Sequence, residues 1–178
     1  MKQCHSQHIM KISERVELFD SIRDVPFCLM GKNAFYCFSK NNLLRKRLAL
    51  GGIESVLMQG WFRWSDLEIP QEAKNLIRKD RQKHVFLKIL IPERSEWVYV
   101  DPTWDKALED VFPIAKWNGV DETVLMTKLS RISEYKKRNI FERIINKVER
   151  KFFPEGNSQF YFWLDEWMEK KRVEKNNS

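Results

Sequence analysis

The sequence predicts an α+β fold in which helices pack on an antiparallel sheet, and two observations support this class. Two runs rich in β-branched and aromatic residues, 84–91 and 97–100, flank a short polar turn, which is typical of a β-hairpin. Helical periodicity precedes this hairpin over 13–23 and 38–50 and follows it from residue 121 onward. No stretch approaches the roughly 18 consecutive apolar residues of a membrane-spanning helix, so we expect no membrane span.

The length of 178 residues favours one domain. A chain of this size buries about 70% of its unfolded surface on folding, and its 43% hydrophobic residues can supply the core. We expect a single domain over 1–178, with a core at about 12–118 and a helical C-terminal extension at about 119–172. The last residues, from 170 onward, are expected to fray.

The first half of the chain predicts two helices and a strand. Apolar residues of the first helix, 13–23, recur at helical spacing: Val16, Phe19 and Ile22. The second helix, 38–50, ends at Gly51-Gly52, because glycine accepts the left-handed conformation that follows a helix. A short strand is predicted at 53–58.

The second half begins with a polar connection that contains a predicted helix near 71–79. The hairpin follows, with the turn at 92–95, and Pro102 ends its second strand because proline cannot donate to the ladder. Two further helices are predicted, over 121–151 and 157–170. The last of these is rich in aromatic residues, and we expect it to dock onto the core.

The charge of the chain is +7, with 32 Lys and Arg against 25 Asp and Glu. Nine of these cations lie within 128–151, where a solvated helix face is the simplest interpretation. A polyanion could bind there, but no signature of a nucleic-acid-binding fold accompanies the charge. Nucleic acid is therefore a minor alternative among the partners.

The three cysteines, Cys4, Cys28 and Cys37, form an odd number without repeated spacing. This pattern does not predict a disulfide framework and favours a reducing, cytoplasmic setting. Cys4 with His5 and His8 resembles a sparse metal cluster, but no fourth ligand is visible, and we expect this N-terminal segment to be disordered. Neither a metal site nor a cofactor is predicted.

Cys37, His84 and Asp101 together form the constellation that indicates chemistry. Cys37 lies at the start of the second predicted helix, where the partial positive charge favours a thiolate. With a four-residue turn, Ile91 faces Glu96, and His84 and Asp101 become diagonal neighbours on one face, about 7–8 Å apart at the backbone. The carboxylate could then orient an imidazole that activates the thiol.

Each of these three residues has a structural interpretation when it is taken singly. A free cysteine is most often a small buried hydrophobe. His84 could be a satisfied structural histidine, and Asp101 could simply end a strand. A register slip of one residue would place His84 and Asp101 on opposite faces of the sheet.

Three segments taken together resemble the transglutaminase-like superfamily. The segment CFSKNNLLRKRLALGGIESVLMQGW resembles the nucleophile segment of that family. Both run from a cysteine through a helix to Gly-Ile and then a strand. Its histidine and aspartate segments resemble HVFLKILI and WVYVDPTW. The resemblance covers roughly residues 20–105.

The resemblance implies a papain-like core whose nucleophile helix packs on an antiparallel sheet. It also implies a cysteine hydrolase or acyltransferase that acts on an amide bond of a peptide or protein through a thioester. By position, Cys37 is the nucleophile, His84 the general base and acid, and Asp101 the residue that orients His84. No calcium-binding motif is recognisable in the sequence, which disfavours a calcium-dependent crosslinker.

The sequence departs from the family before the cysteine, where Phe35-Tyr36 stands in the place that glycine takes in many relatives. This departure favours a catalytically inactive binding module on the same fold as an alternative function. A polyanion-binding protein that uses the basic helix is a second alternative. Four residues are candidates for oxyanion or cleft contacts: Asn33, Tyr36, Gln59 and Trp61.

Overall fold

Four antiparallel strands form one sheet: β1 (Ser55–Arg63), β2 (Arg81–Ile91), β3 (Glu96–Val100) and β4 (Ser130–Glu134). They lie in the order β3-β2-β1-β4. The computed structural model describes residues 9–32, 34–136 and 156–177. The predicted α+β class, with helices and an antiparallel sheet, is confirmed.

The described helices are α1 (Ile12–Arg23), α2 (Cys37–Leu50), α3 (Gln71–Asn75) and α4 (Ser158–Asn176). The helices predicted at 13–23 and 38–50 are confirmed to within one residue at each end. The helix predicted near 71–79 is shorter, because it ends at Asn75. No helix in the described ranges combines the length and the apolar character that a membrane crossing needs.

The hairpin of β2 and β3 has the predicted register. Ile91 pairs with Glu96 and Leu87 pairs with Val100, so the turn comprises residues 92–95. Strand β1 pairs with β2 without a shift, from Ser55–Ile89 to Arg63–Arg81. This strand extends five residues beyond the predicted 53–58, so the ladder includes Gly60, directly opposite His84.

The core consists of two clusters of buried side chains, and α2 packs against β1 and β2. One cluster joins α1 and α2 to the sheet through residues such as Phe19, Leu44, Leu48, Leu87 and Ile89. The other lies under α4 and includes Phe62, Trp104, Phe160, Leu164 and Met168. The expected docking of the aromatic C-terminal helix onto the core is therefore confirmed for α4.

The helix predicted over 121–151 is wrong for residues 121–136. This stretch is irregular as far as Leu129 and then forms β4, which pairs with β1. Every residue of β4 is exposed, so the strand is held by its ladder with β1 and not by a buried face that would leave a hydrophobic pattern. Residues 137–151, with most of the basic run, lie outside the described residues.

The fraying expected from residue 170 onward is also wrong, because α4 continues to Asn176. Arg172 is buried and explains this continuation. Its guanidinium donates to Asp105 Oδ2 at 2.8 Å and to the carbonyl oxygen of Phe27 at 2.9 Å. These contacts attach the last turns of α4 to two loops of the core.

Candidate active site

Cys37 is the first residue of α2, and its side chain is half-buried. No side chain among the described residues caps this helix, and its first backbone hydrogen bond runs from the Lys40 N–H to the Tyr36 carbonyl at 3.0 Å. The N–H groups of the first turn have no intrahelical acceptor, and the positive end of the helix dipole lies here. The thiol therefore stands beside donors that can hold a negatively charged oxygen.

His84 and Asp101 form a hydrogen-bonded pair in the interior. His84 Nε2 and Asp101 Oδ2 are 2.7 Å apart, and neither side chain is accessible to solvent. His84 lies on β2, whereas Asp101 directly follows the last residue of β3. The register thus brings the two side chains together across the hairpin, as the four-residue turn requires.

Asp101 is held by donors other than His84. Its Oδ2 also accepts the backbone N–H of Met126 at 2.7 Å, and its Oδ1 accepts the backbone N–H and the hydroxyl of Thr103. Burial would raise the pKa of Asp101, but the charge and hydrogen bond of His84, with the donors from Thr103 and Met126, hold it below its ordinary value. The carboxylate is therefore ionised and fixed in orientation.

The electrostatics of His84 follow from the same pair. Burial alone would lower its pKa, yet the charge and hydrogen bond of Asp101, with the neighbouring Cys37 thiol, raise it to about 10. Nδ1 is buried and makes no hydrogen bond with any described residue. The imidazole is therefore in its positively charged, protonated form at neutral pH. Its Nδ1 lies near Cys37 and has no hydrogen-bond partner among the described residues.

Aromatic rings enclose this imidazole. Phe86 is stacked on it at a centroid distance of 6.0 Å, and Phe62 meets it edge-on at 6.4 Å. Phe86 follows two residues after His84 on β2, whereas Phe62 lies on the neighbouring β1. These rings keep water from the pair, which strengthens its electrostatic interaction.

The structure does not bring Gln59 and Trp61 to the face of the sheet that carries His84. In the ladder Gln59 faces Val85 and Trp61 faces Lys83, each one residue out of phase with His84. The Gln59 amide donates to Ser133 at 3.4 Å, and Arg81 lies over the Trp61 ring at 4.6 Å.

Tyr36 and Asn33 are the two remaining oxyanion or cleft candidates. Tyr36 occupies the N-cap of α2, next to Cys37, with 37% of its surface exposed. Asn33 lies outside the described residues. A contact of either side chain with an oxyanion stays a prediction.

Two contributors to the site were not predicted. Thr103 could have been found, because a threonine two residues after an aspartate commonly bonds to its side chain. The backbone N–H of Met126 leaves no signal in the sequence, since any residue except proline supplies it. It reaches Asp101 only because the irregular chain after residue 121 folds back over the hairpin end.

No metal site accompanies this arrangement in the part of the chain that the structure describes, where no group of three or more His, Cys, Asp or Glu could hold an ion. The N-terminal cluster of Cys4, His5 and His8 lies outside those residues. The described site presents a thiol, an imidazole and a carboxylate.

Known proteins offer no match to this chain among the family models, the curated proteins or the solved structures that were compared with it. The interpretation of the site consequently depends on its own atoms. The contact of His84 with Asp101, and the place of Cys37 at a helix start, are the observations from which a function can be argued.

Proposed function

We propose that this protein is a transglutaminase-like cysteine hydrolase or acyltransferase with a papain-like core, acting on an amide bond of a peptide or protein. One observation carries the proposal: the buried His84–Asp101 pair leaves Nδ1 of the imidazole available, and the Cys37 thiol interacts with this imidazole closely enough to help raise its pKa. A nucleophile, a base and a residue that orients the base form the functional unit of cysteine-dependent acyl transfer.

The first step forms a carbon–sulfur bond. The thiolate of Cys37 attacks the amide carbonyl carbon, and the carbonyl oxygen takes the displaced electron pair as an oxyanion. The N–H groups of the first turn of α2 stabilise that charge. The His84 imidazolium then donates its proton to the amide nitrogen, the carbon–nitrogen bond breaks, and an amine leaves.

The second step returns the enzyme to its starting state. The thioester at Cys37 is attacked by water or by an amine, and the neutral imidazole of His84 accepts the proton that the attacking group loses. The thiolate leaves, and the product is a carboxylic acid or a new amide. Asp101 keeps the imidazole in one orientation throughout and stabilises its protonated form.

The setting that we propose is reducing and cytoplasmic. Both cysteines in the described ranges, Cys28 and Cys37, are free thiols. Free thiols of this kind are typical of compartments in which glutathione and thioredoxin keep cysteines reduced. A peptide or protein that shares this compartment would be the substrate.

Capture of the acyl-enzyme tests the proposal. The protein is incubated with p-nitrophenyl acetate, and acetylation is located by peptide mass spectrometry. We expect acetyl-Cys37 to form at neutral pH and to form much more slowly in His84→Ala. Cys28 is the internal control, because its thiol donates to the Met30 carbonyl at 3.0 Å and burial raises its pKa.

Amide substrates provide the second stage of this test. A peptide library is screened for release of an amine or for transfer to an added amine, and Cys37→Ala should abolish the activity. If acetylation were equal at Cys28 and Cys37 and independent of His84, the inactive binding module would be the better account. An activity that survives Cys37→Ala would also contradict the proposal.

A further inference from the structure

Asn41 is a completely buried residue of α2, one turn after Cys37. Its Nδ2 donates to two backbone carbonyl oxygens, that of Cys37 and that of Val85, each at 2.9 Å. Val85 is the residue that follows His84 on β2. One side chain thus joins the backbone of the proposed nucleophile to the strand that carries the proposed base.

The orientation of this carboxamide follows from its partners. Both of them are carbonyl oxygens, which only accept, so the amide nitrogen must face them. Asn41 Oδ1 points elsewhere, is buried, and has no hydrogen-bond partner among the described residues. A buried acceptor without a partner costs free energy, which opposes the stabilisation from the two bonds that Nδ2 donates.

A second bond fixes the same turn of α2 from another direction. Lys40 is completely buried, and its Nζ donates to the carbonyl oxygen of Arg23, the last residue of α1, at 2.7 Å. Consecutive buried side chains therefore tie the start of α2 to α1 and to β2. Of these two, only Asn41 contacts the backbone of Cys37.

We propose that Asn41 is a positioning residue that sets the separation and direction of the Cys37 thiol relative to Nδ1 of His84. This inference rests on the proposed function, because positioning matters only if the two groups react together. A shift of about 1 Å between reacting groups can lower a rate about a hundredfold. The hydrogen bonds by which Asn41 joins the start of α2 to β2 should therefore have a large effect on rate.

The test compares Asn41→Leu with Asn42→Leu in the full chain. Asn42 is the neighbouring asparagine on α2, and its side-chain oxygen accepts from Arg45 of the same helix at 3.5 Å. The rate of iodoacetamide alkylation at Cys37 is divided by the rate at Cys28 in the same sample, from pH 5.5 to 9, and melting temperatures are recorded in parallel.

For Asn41→Leu we expect the ratio at pH 6.5 to fall at least about tenfold, and its pH profile to move toward that of an unassisted cysteine. Asn42→Leu should keep the wild-type ratio. A folded Asn41→Leu protein with the wild-type ratio and profile would overturn the inference. If Asn41→Leu does not fold, Asn41→Gln replaces it, since its longer arm moves the amide: a lower ratio supports positioning, and an unchanged ratio overturns it.

The wild-type protein separates this inference from the proposed function. A wild-type ratio that depends on His84, together with an unaffected Asn41→Leu, contradicts the positioning role alone. A wild-type ratio that His84→Ala leaves unchanged contradicts the proposed function, and the positioning role fails with it.

Discussion

His84 and Asp101 are each ionised because of the other. Burial disfavours both charges, yet their hydrogen bond of 2.7 Å and their mutual attraction raise the pKa of His84 to about 10 and lower that of Asp101. The pair is therefore an imidazolium and a carboxylate at neutral pH. An imidazolium beside a thiol favours the thiolate, which is the reactive form of cysteine.

Removing the charge of Asp101 should reverse the balance at His84. In Asp101→Asn the burial remains and the attraction of the carboxylate is lost, with only the Cys37 thiol left to oppose the burial, so we expect the pKa of His84 to fall well below about 10. Titration of the imidazole ring protons by NMR measures this. A wild-type histidine that titrates near 6.5, or a pKa that Asp101→Asn does not change, would contradict the account of the pair.

Lys40 is another ionisable residue whose burial has a measurable consequence. Burial lowers the pKa of Lys40 to about 7, because it outweighs the attraction of Asp105. Between about pH 7 and 10.5, Lys40 is therefore protonated more fully in the unfolded chain than in the folded protein. Stability contributed through Lys40 therefore rises with pH in that window. The stability contributed through His84 changes with pH in the opposite direction. Its pKa is raised in the folded protein, so this contribution is lost as pH rises through about 10.

Replacing Lys40 should leave the His84 effect unopposed. We expect the melting temperature of Lys40→Met to fall between pH 7 and 10, while that of the wild type changes less, because the two groups offset each other. Thermal unfolding followed by circular dichroism across this range makes the comparison. Parallel curves for the two proteins would show that Lys40 does not titrate in the window, contrary to this expectation.

The sequence predicted the contact between His84 and Asp101 for a physical reason. The turn of four residues and the twofold alternation of a strand determine which side chains share a face, and both can be counted along the chain. Asn41 was not predicted, because its role depends on a bond to the Val85 carbonyl on another element. The direction of a backbone carbonyl cannot be inferred from the side chains in the sequence.

At the scale of elements, the same contrast separates the hairpin from β4. Strand β2 of the hairpin buries most of its apolar side chains and so leaves a pattern, whereas β4 is fully exposed and depends on pairing with β1. Its charged and polar residues therefore match a solvated helix as well as an edge strand. Sequence periodicity predicted α1, α2 and α4 correctly because each of these helices buries a face.

The last turns of helix α4 should lose their attachment when Arg172 is removed. Arg172→Ala leaves Asp105 buried without its guanidinium partner, so we expect the free energy of unfolding to fall by about 3–5 kcal/mol. Urea denaturation measures the change. Lys170→Ala is the matched control, since that side chain is 74% exposed and should alter stability by less than about 0.5 kcal/mol. Equal effects of the two variants would contradict the anchoring role of Arg172.

In the molecule as a whole, the candidate site lies where elements distant in sequence meet. Helix α2 supplies Cys37, strand β2 supplies His84, and the end of β3 supplies Asp101. The irregular segment before β4 adds the Met126 N–H. The fold class could be predicted because it depends on local patterns. The path of residues 101–129 could not, because this segment is held by hydrogen bonds such as that of the Met126 N–H and by side chains buried in both core clusters.

The central claim is that Cys37 and His84 act as a working thiolate–imidazolium pair. The most direct measurement is the pH dependence of iodoacetamide alkylation at Cys37, with Cys28 as the reference thiol, in the wild type and in His84→Ala. We predict that wild-type Cys37 reacts rapidly well below the roughly 8.5 at which a free cysteine ionises, that Cys28 does not, and that His84→Ala removes the difference. Equal and slow reaction of both thiols, unchanged in His84→Ala, would contradict the claim.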